Sequence, residues 1–160
     1  MGITISNYTD HDAESVWQLH LHTVNHNDGF VKNLLFPTDM HDIPNIYKAF
    51  FVMRDEGKII GMVGLRHIDD QTLEIKRLQV HSTFQGRGLG RRLMNHALEY
   101  AHAQNYHCLK LDVSVPQIKA QKLYESLGFV VTHTADRVLG PDREKVTSIY
   151  MERNAIITCS

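Results

Sequence analysis

Cysteine is nearly absent from this chain of 160 residues: only Cys108 and Cys159 occur, one in a strand-like segment and one at the tail. Such a pair makes no disulfide framework, which excludes the small secreted scaffolds held together by cross-links. No apolar run reaches the length of a membrane-spanning helix. An excess of one charge sign is missing too, since 17 Lys and Arg stand against 18 Asp and Glu for a net charge of −1. That balance gives no reason to expect nucleic acid or an anionic membrane as a partner. Only four prolines occur, and no repeat, low-complexity tract or linker divides the chain. Met1 to Ile5 lack the basic and apolar pattern of a secretory signal, and Ser6 alone is thin evidence for lipidation at Gly2. The expectation is a cytoplasmic protein of one domain, residues 1–160, long enough to bury about 70% of its unfolded surface.

Histidine is what the chain has in excess, with eleven. His20, His22 and His26 cluster on the first helix-like segment, and His22 with His26 has the i, i+4 spacing of two metal ligands. No third ligand is clear and no Glu adjoins either one, so these are expected to be polar groups flanking a cleft, with no metal. Because histidine titrates near neutrality, the molecule should gain positive charge between about pH 7 and 6.

Hydrophobic periodicity orders the rest. Ile3 to Tyr8 alternates as a short strand, and Thr9 reads as an N-cap with Asp12 three residues on, opening a helix through Val16, Leu19 and Val24. Asn25 to Pro44 holds Asn-Asp-Gly and two prolines and predicts short helices and loop. Phe50–Arg54 and Lys58–His67 form a hairpin about Asp55-Glu56-Gly57, and Asp69-Asp70-Gln71 turns into a strand from Leu73 to Val80. A helix to about Gln104 follows, with Leu89, Leu93, Ala97 and Tyr100 or Ala101 on one face. Next come a strand Cys108–Val113, a helix Gln117–Leu127, a strand from Phe129, a loop Leu139–Glu144 and a last strand Val146–Glu152. The order predicts an α/β (mixed α+β) fold, a mixed sheet with helices on both faces. The strands either side of the long helix should be parallel, because a helical crossover joins parallel neighbours.

The run Gln85-Gly86-Arg87-Gly88-Leu89-Gly90 sits between that strand and that helix. Glycines at such a junction let backbone approach a ligand, and free N–H groups at a helix start favour an anion. A phosphate-bearing ligand is therefore expected there. A Walker loop would need Lys-Ser/Thr after its last Gly, where Arg91-Arg92 stands, and a dinucleotide fingerprint would need glycine at position 91.

What fits is Gln/Arg-x-x-Gly-x-Gly/Ala, the pyrophosphate loop of the GCN5-related N-acetyltransferase (GNAT) superfamily, which the chain resembles from about Phe50 to Phe129. Glu74-Ile75-Lys76-Arg77-Leu78-Gln79-Val80-His81 is similar to the family's fourth strand, its glutamate eleven residues before the loop's glutamine. Leu109-Lys110-Leu111-Asp112-Val113 is similar to the fifth strand, and Ala120-Gln121-Lys122-Leu123-Tyr124-Glu125-Ser126-Leu127-Gly128-Phe129 to the signature that closes the cofactor site. One departure is Gln117, where the family has Asn three residues before that alanine. The resemblance implies the GNAT acyl-CoA N-acyltransferase fold, a mixed sheet of six to seven strands. It also implies a splay between the fourth and fifth strands that takes the pantetheine arm of acetyl-CoA. Gln85, Gly86, Arg87, Gly88, Leu89, Gly90 and Arg91 would cradle the pyrophosphate, Leu78, Gln79 and Val80 would meet the pantetheine through their backbone, and Gln117 and Tyr124 would complete the site.

Moving an acetyl group to an amine by direct attack requires a held cofactor, a deprotonated amine, a stabilised oxyanion and a departing thiolate. An amine with a pKa of about 10.4 is nucleophilic in only about one molecule in a thousand at neutral pH, so a base addresses the deficit. By resemblance, Glu74 matches the base of the histone-modifying branch and Asp112 an acidic residue of the ribosomal-protein branch, and Tyr124 would direct its hydroxyl at the cofactor sulfur. Glu74 paired with Lys76 on one strand face, or Asp112 as a plain strand end, are the alternatives. The expected function is an acetyl-CoA-dependent N-acetyltransferase acting on a primary amine, in a small molecule or a peptide. The other class is a catalytically silent acyl-CoA-binding module. Trp17, Phe30, Phe36 and Tyr47 are candidates for a small-molecule cleft, with core packing as their plainer use, and a homodimer is left open.

Overall fold

Residues 49–55 read Ala-Phe-Phe-Val-Met-Arg-Asp, and a strand apolar at consecutive positions has to be covered on both faces. The computed structural model, which describes residues 2–26, 38–139 and 143–155, covers it on both. Phe51 and Met53 enter one core while Phe50 and Val52 enter another. The elements in chain order are β1 (Ile3–Asn7), α1 (Ala13–His26), α2 (Ile43–Ile46), β2 (Ala49–Asp55), β3 (Lys58–Asp69), β4 (Thr72–Val80), α3 (Leu89–Ala103), β5 (Cys108–Ser114), α4 (Ile118–Ser126), β6 (Val130–Leu139) and β7 (Glu144–Asn154). One seven-stranded sheet runs β1-β2-β3-β4-β5-β7-β6. Its β4–β5 pair is parallel and its other neighbours are antiparallel, as the helical crossover requires.

The larger core packs α3 on one face of the sheet. Leu89, Leu93, Ala97 and Ala101 are all buried, at the helical spacing seen in the sequence, and they meet Leu73, Ile75, Leu109 and Leu111. The smaller core packs α1 and α2 on the other face, with Val16, Leu19, Met40, Ile43 and Tyr47 against Phe50, Val52 and Met62. The mixed sheet with helices on both faces is therefore as expected. β7 is longer than the sequence suggests because β6 pairs with it from Glu144 to Glu152 and β5 from Ser148 to Asn154, so the two partners together cover its whole length. Thr9 does open the first helical segment, but through a 3-10 turn, Asp10–Asp12, before α1. Its N–H donates to Asp12 Oδ2 at 3.0 Å, and Arg54 Nη2 donates to Asp12 Oδ1 at 2.6 Å, tying the turn to β2. Phe30 and Phe36, residues 140–142 of the β6–β7 loop, and Cys159 lie outside the described residues.

Gly64 in β3 marks a close approach between the layers. A Cβ there would stand 2.7 and 2.8 Å from ring carbons of Tyr47 and 3.0 Å from Phe50 Cδ2. Neither ring has room to retreat, since both are buried in the smaller core. Gly64→Ala should therefore destabilise the fold by about 1–3 kcal/mol through overpacking. Urea unfolding read by fluorescence measures this, and an unchanged midpoint would show that the Tyr47 ring is not fixed.

Candidate functional site

β4 and β5 are joined at only three positions, Thr72–Cys108, Leu73–Leu109 and Glu74–Lys110. Beyond these, β4 keeps β3 as its partner up to Val80, and β5 keeps β7 up to Ser114. The two strands thus part, and the wedge between them is flanked by Leu78, Gln79 and Val80 on one side and by Asp112, Val113 and Ser114 on the other.

The glycine loop lies beyond the β4 end of this wedge. A 3-10 turn, Ser82–Phe84, follows β4, and Gln85 Nε2 donates back to the Val80 carbonyl at 3.1 Å. Gly86 and Gly88 have φ of 80° and 75°, a left-handed conformation that glycine adopts without strain. A Cβ on either would meet nothing within 4 Å, so the space above them is open. The first helical bond of α3 runs from Arg92 N to Gly88 O at 3.1 Å, leaving the N–H groups of Leu89, Gly90 and Arg91 without intrahelical acceptors. Open space facing free donors at the positive end of a 15-residue helix suits a phosphate. Arg87 lies over the Phe84 ring at 5.2 Å, and Arg91 Nη2 donates to Ser126 Oγ at 2.7 Å, so both cations stand beside the loop.

α4 forms the far wall. Tyr124 is 7% exposed, with its ring edge-on to Phe129, and no described residue hydrogen-bonds its hydroxyl. Burial, and then the negative charge of Asp112, push that hydroxyl well above the ordinary range of a phenol, so it stays a proton donor. Gln117 precedes α4, and its Oε1 accepts from Ser114 N at 3.0 Å and Ser114 Oγ at 2.8 Å, which seals the end of β5. Each candidate carboxylate has a cation beside it. Glu74 Oε1 is 2.8 Å from Arg66 Nη2 and 3.9 Å from Lys76 Nζ, on the α1 face, and Asp112 Oδ2 is 3.4 Å from Arg137 Nη1.

The α1 side of β4 carries a polar network that the sequence did not reveal. Between the pairs Gly64–Lys76 and Met62–Gln79, β4 spends one residue more than β3, a β-bulge. Arg77 at the bulge has φ of 59°, a left-handed conformation that strains a non-glycine residue by about 1–2 kcal/mol. Its Nε and Nη2 donate to Asp39 Oδ2 and Oδ1 at 2.8 and 2.6 Å, and the Tyr47 hydroxyl donates to Asp39 Oδ2 at 2.6 Å. Burial opposes ionisation of Asp39, but the Arg77 hydrogen bonds and charge prevail and hold its carboxyl below the usual range. Next to it, Gln79 Nε2 lies 3.2 Å from Nδ1 of His20, which is 2% exposed. Burial, reinforced by the charge of Arg77, brings His20 down to about 4, so it departs from the near-neutral titration expected of it and remains a neutral imidazole. The only sequence sign of the bulge was two consecutive charges, Lys76-Arg77, in an otherwise alternating strand.

The other two histidines of the α1 cluster, His22 and His26, stack with His81. The His22 ring lies 4.0 Å from His26 and 3.9 Å from His81, and His22 Nε2 is 2.7 Å from Ser82 Oγ, which joins the end of α1 to the turn after β4. Among the described residues no group of three His, Cys, Asp or Glu could hold a metal. Tyr47 is core, whereas Trp17 lines a cleft of about 400 Å³ with Tyr8, Met40 and Ile43. No helix among the described residues is long and apolar enough to cross a membrane.

Known proteins share this arrangement. The family model described as the acetyltransferase (GNAT) family matches residues 13–129. N-acetylaspartate synthetase of Rattus norvegicus is 36% identical over 110 residues, 65% of this chain and 37% of the relative. N-acetyltransferase 8B of Homo sapiens is 39% identical over 105 residues, 59% of this chain and 46% of the relative. The chain spans less than half the length of these curated relatives. Among solved structures, yncA of Salmonella typhimurium, determined with its cofactor acetyl-CoA, aligns with a TM-score of 0.80 at 20% identity and covers 100% of this chain and 98% of that one. The ribosomal-protein-S18-alanine N-acetyltransferase of Escherichia coli aligns at 0.75 with 21% identity, covering 98% of this chain and 96% of that one.

Gly88→Asp would add a side chain, a negative charge and left-handed strain at the helix N-cap. The variant should lose acetyl-CoA binding by titration calorimetry, where the wild-type protein is expected to bind in about the micromolar range, because a fixed carboxylate would repel a pyrophosphate from the free donors. Equal affinity in a folded variant would remove the loop from the cofactor site.

Proposed function

Because the chain belongs to the GNAT acetyltransferase family, we propose that it transfers the acetyl group of acetyl-CoA, as a single catalytic domain, to the primary amine of a small molecule or peptide by direct attack. The observation that carries this reading is the wedge between β4 and β5, which leads to open, glycine-floored space facing the free N–H groups of α3. The residues present fit the family's cofactor. Gln85 to Arg91 would hold the pyrophosphate, and the backbone of Leu78, Gln79 and Val80 the pantetheine, with Gln117 closing the end of β5. Bound there, acetyl-CoA supplies an activated thioester and a thiol leaving group.

The chain's own groups then divide the proton work. Tyr124 keeps its proton through the physiological range and can give it up to a departing thiolate, which the buried, otherwise unbonded hydroxyl supports. Glu74 is the proposed base, taking the amine's proton through a water on the α1 face. Asp112 is assigned instead to the field around Tyr124, because its charge helps to keep that hydroxyl protonated. As for the acceptor, relatives named N-acetylaspartate synthetase make L-aspartate the first amine to test.

Free-thiol release from acetyl-CoA, screened against L-aspartate, other amino acids, polyamines and peptide N-termini, tests the activity itself. Absence of turnover with every amine, despite tight acetyl-CoA binding, would favour a silent binding module. With an acceptor in hand, Tyr124→Phe keeps the ring and deletes the hydroxyl, so kcat should fall about 10- to 10³-fold with acetyl-CoA affinity and Tm nearly unchanged. Wild-type turnover in that variant would leave Tyr124 as core. Glu74→Gln should lower kcat about 10²-fold and flatten the acid limb of the pH–rate profile. That loss appearing in Asp112→Asn instead would transfer the base role to Asp112.

A further inference from the structure

The left-handed residue in β4 has no turn to account for it. The other described non-glycine residues with positive φ, Glu56, Asn105 and Arg143, lie in connections between elements. Arg77 adopts this conformation inside a strand, between the last β4–β5 pair at Glu74 and the three residues that flank the wedge. Its φ therefore sets the direction in which the backbone N–H groups of Leu78, Gln79 and Val80 point.

The side chain of Arg77 is held in turn. Both of its bonds to Asp39 are made in the planar fork geometry that guanidinium and carboxylate share, at 2.8 and 2.6 Å. Asp39 stands in the 3-10 turn Thr38–His41 and also accepts the Tyr47 hydroxyl, while the Tyr47 ring presses onto Gly64, the β3 partner of Lys76. The chain of contacts thus leaves the bulge through Arg77, passes through Asp39 and Tyr47, and returns to β3 beside the same bulge. A carboxylate so engaged is not free for substrate, nor is the guanidinium that it neutralises.

We propose that Arg77, Asp39 and Tyr47 form a positioning clamp that holds the β4 bulge left-handed and thereby aims the backbone donors of residues 78–80 at the acetyl thioester. The proposal rests on the acetyltransferase reading above. It makes Arg77 a positioning residue whose side chain acts through its own backbone. Replacement by glycine, which adopts positive φ unaided, separates this from direct contact with substrate.

Three variants and two measurements test the clamp. Asp39→Asn should lower kcat about 10- to 100-fold with acetyl-CoA Kd within about threefold of wild type, the size expected from misplacing reacting groups by about an ångström. Tyr47→Phe, a milder change that deletes one hydroxyl, should lower kcat in the same direction by a smaller factor. The double variant Asp39→Asn with Arg77→Gly should recover most of the lost kcat, since the bulge no longer needs holding. Hydrogen exchange of the amides of residues 77–80, measured without cofactor, should quicken in Asp39→Asn and slow again in the double variant. A double variant no better than Asp39→Asn would show that the Arg77 side chain itself serves the substrate, and unchanged exchange and turnover in Asp39→Asn would also overturn the clamp. If the wild-type protein neither binds acetyl-CoA nor acetylates any amine, the functional reading fails, while the exchange measurement still decides whether the bulge is clamped.

Discussion

The early parting of β4 from β5 is the constraint on which the site depends. Parallel strands normally stay bonded along their common length, and here they part after Glu74 and Lys110 because each is held from its outer side. β3 pairs with β4 as far as Val80, and β7, inserted beside β5, pairs with it from Cys108 to Ser114. Backbone groups on the inner sides of the wedge have no strand opposite them, and buried backbone polar groups require partners. A ligand with amide groups of its own, such as the pantetheine arm, meets that requirement. The crossover through α3 then places free helix donors at the start of the helix that follows β4, an environment suited to a phosphate. One topological feature thus supplies both halves of the proposed site for an elongated, anionic cofactor.

Chemistry at the wedge is divided between the faces of the sheet. The α4 side supplies a buried phenol whose pKa is raised by desolvation and by Asp112. The α1 side supplies Glu74, with Arg66 and Lys76 close by, and beyond the bulge the neutral pair His20 and Gln79. In the proposed mechanism the proton donor and the base therefore stand on opposite sides of the sheet.

The segment that carries Asp39 and Tyr47 is tied to the strand that flanks the wedge. Its contact with β4 is a bidentate ion pair with an added phenol donor rather than an apolar surface, so its geometry is specified by direction as well as by area. The His22, His26 and His81 stack makes a second link, between α1 and the turn that enters the glycine loop. Both links tie the α1 side of the molecule to β4 and the turn that follows it.

The sequence by itself determined the elements and the glycine loop at the start of α3. The alternation of β1, the face of α3 through Leu89, Leu93, Ala97 and Ala101, and the turn at Asp55-Glu56-Gly57 are short-range patterns, legible because hydrophobic period and glycine conformation are local properties. The loop Gln85–Gly90 was legible for the same reason, since consecutive residues build the cradle. Only the tertiary structure decided which polar side chains meet. Asp39 and Arg77 are 38 residues apart, and His20 and Gln79 are 59 apart. An extra residue in β4 turned Arg77 and Gln79 toward α1, and the break in period at Lys76-Arg77 marks the bulge without naming the partners across the fold. Partners brought together by a sheet register, a crossover and the packing of a helix across it depend on the sum of many weak contacts, which no local pattern encodes.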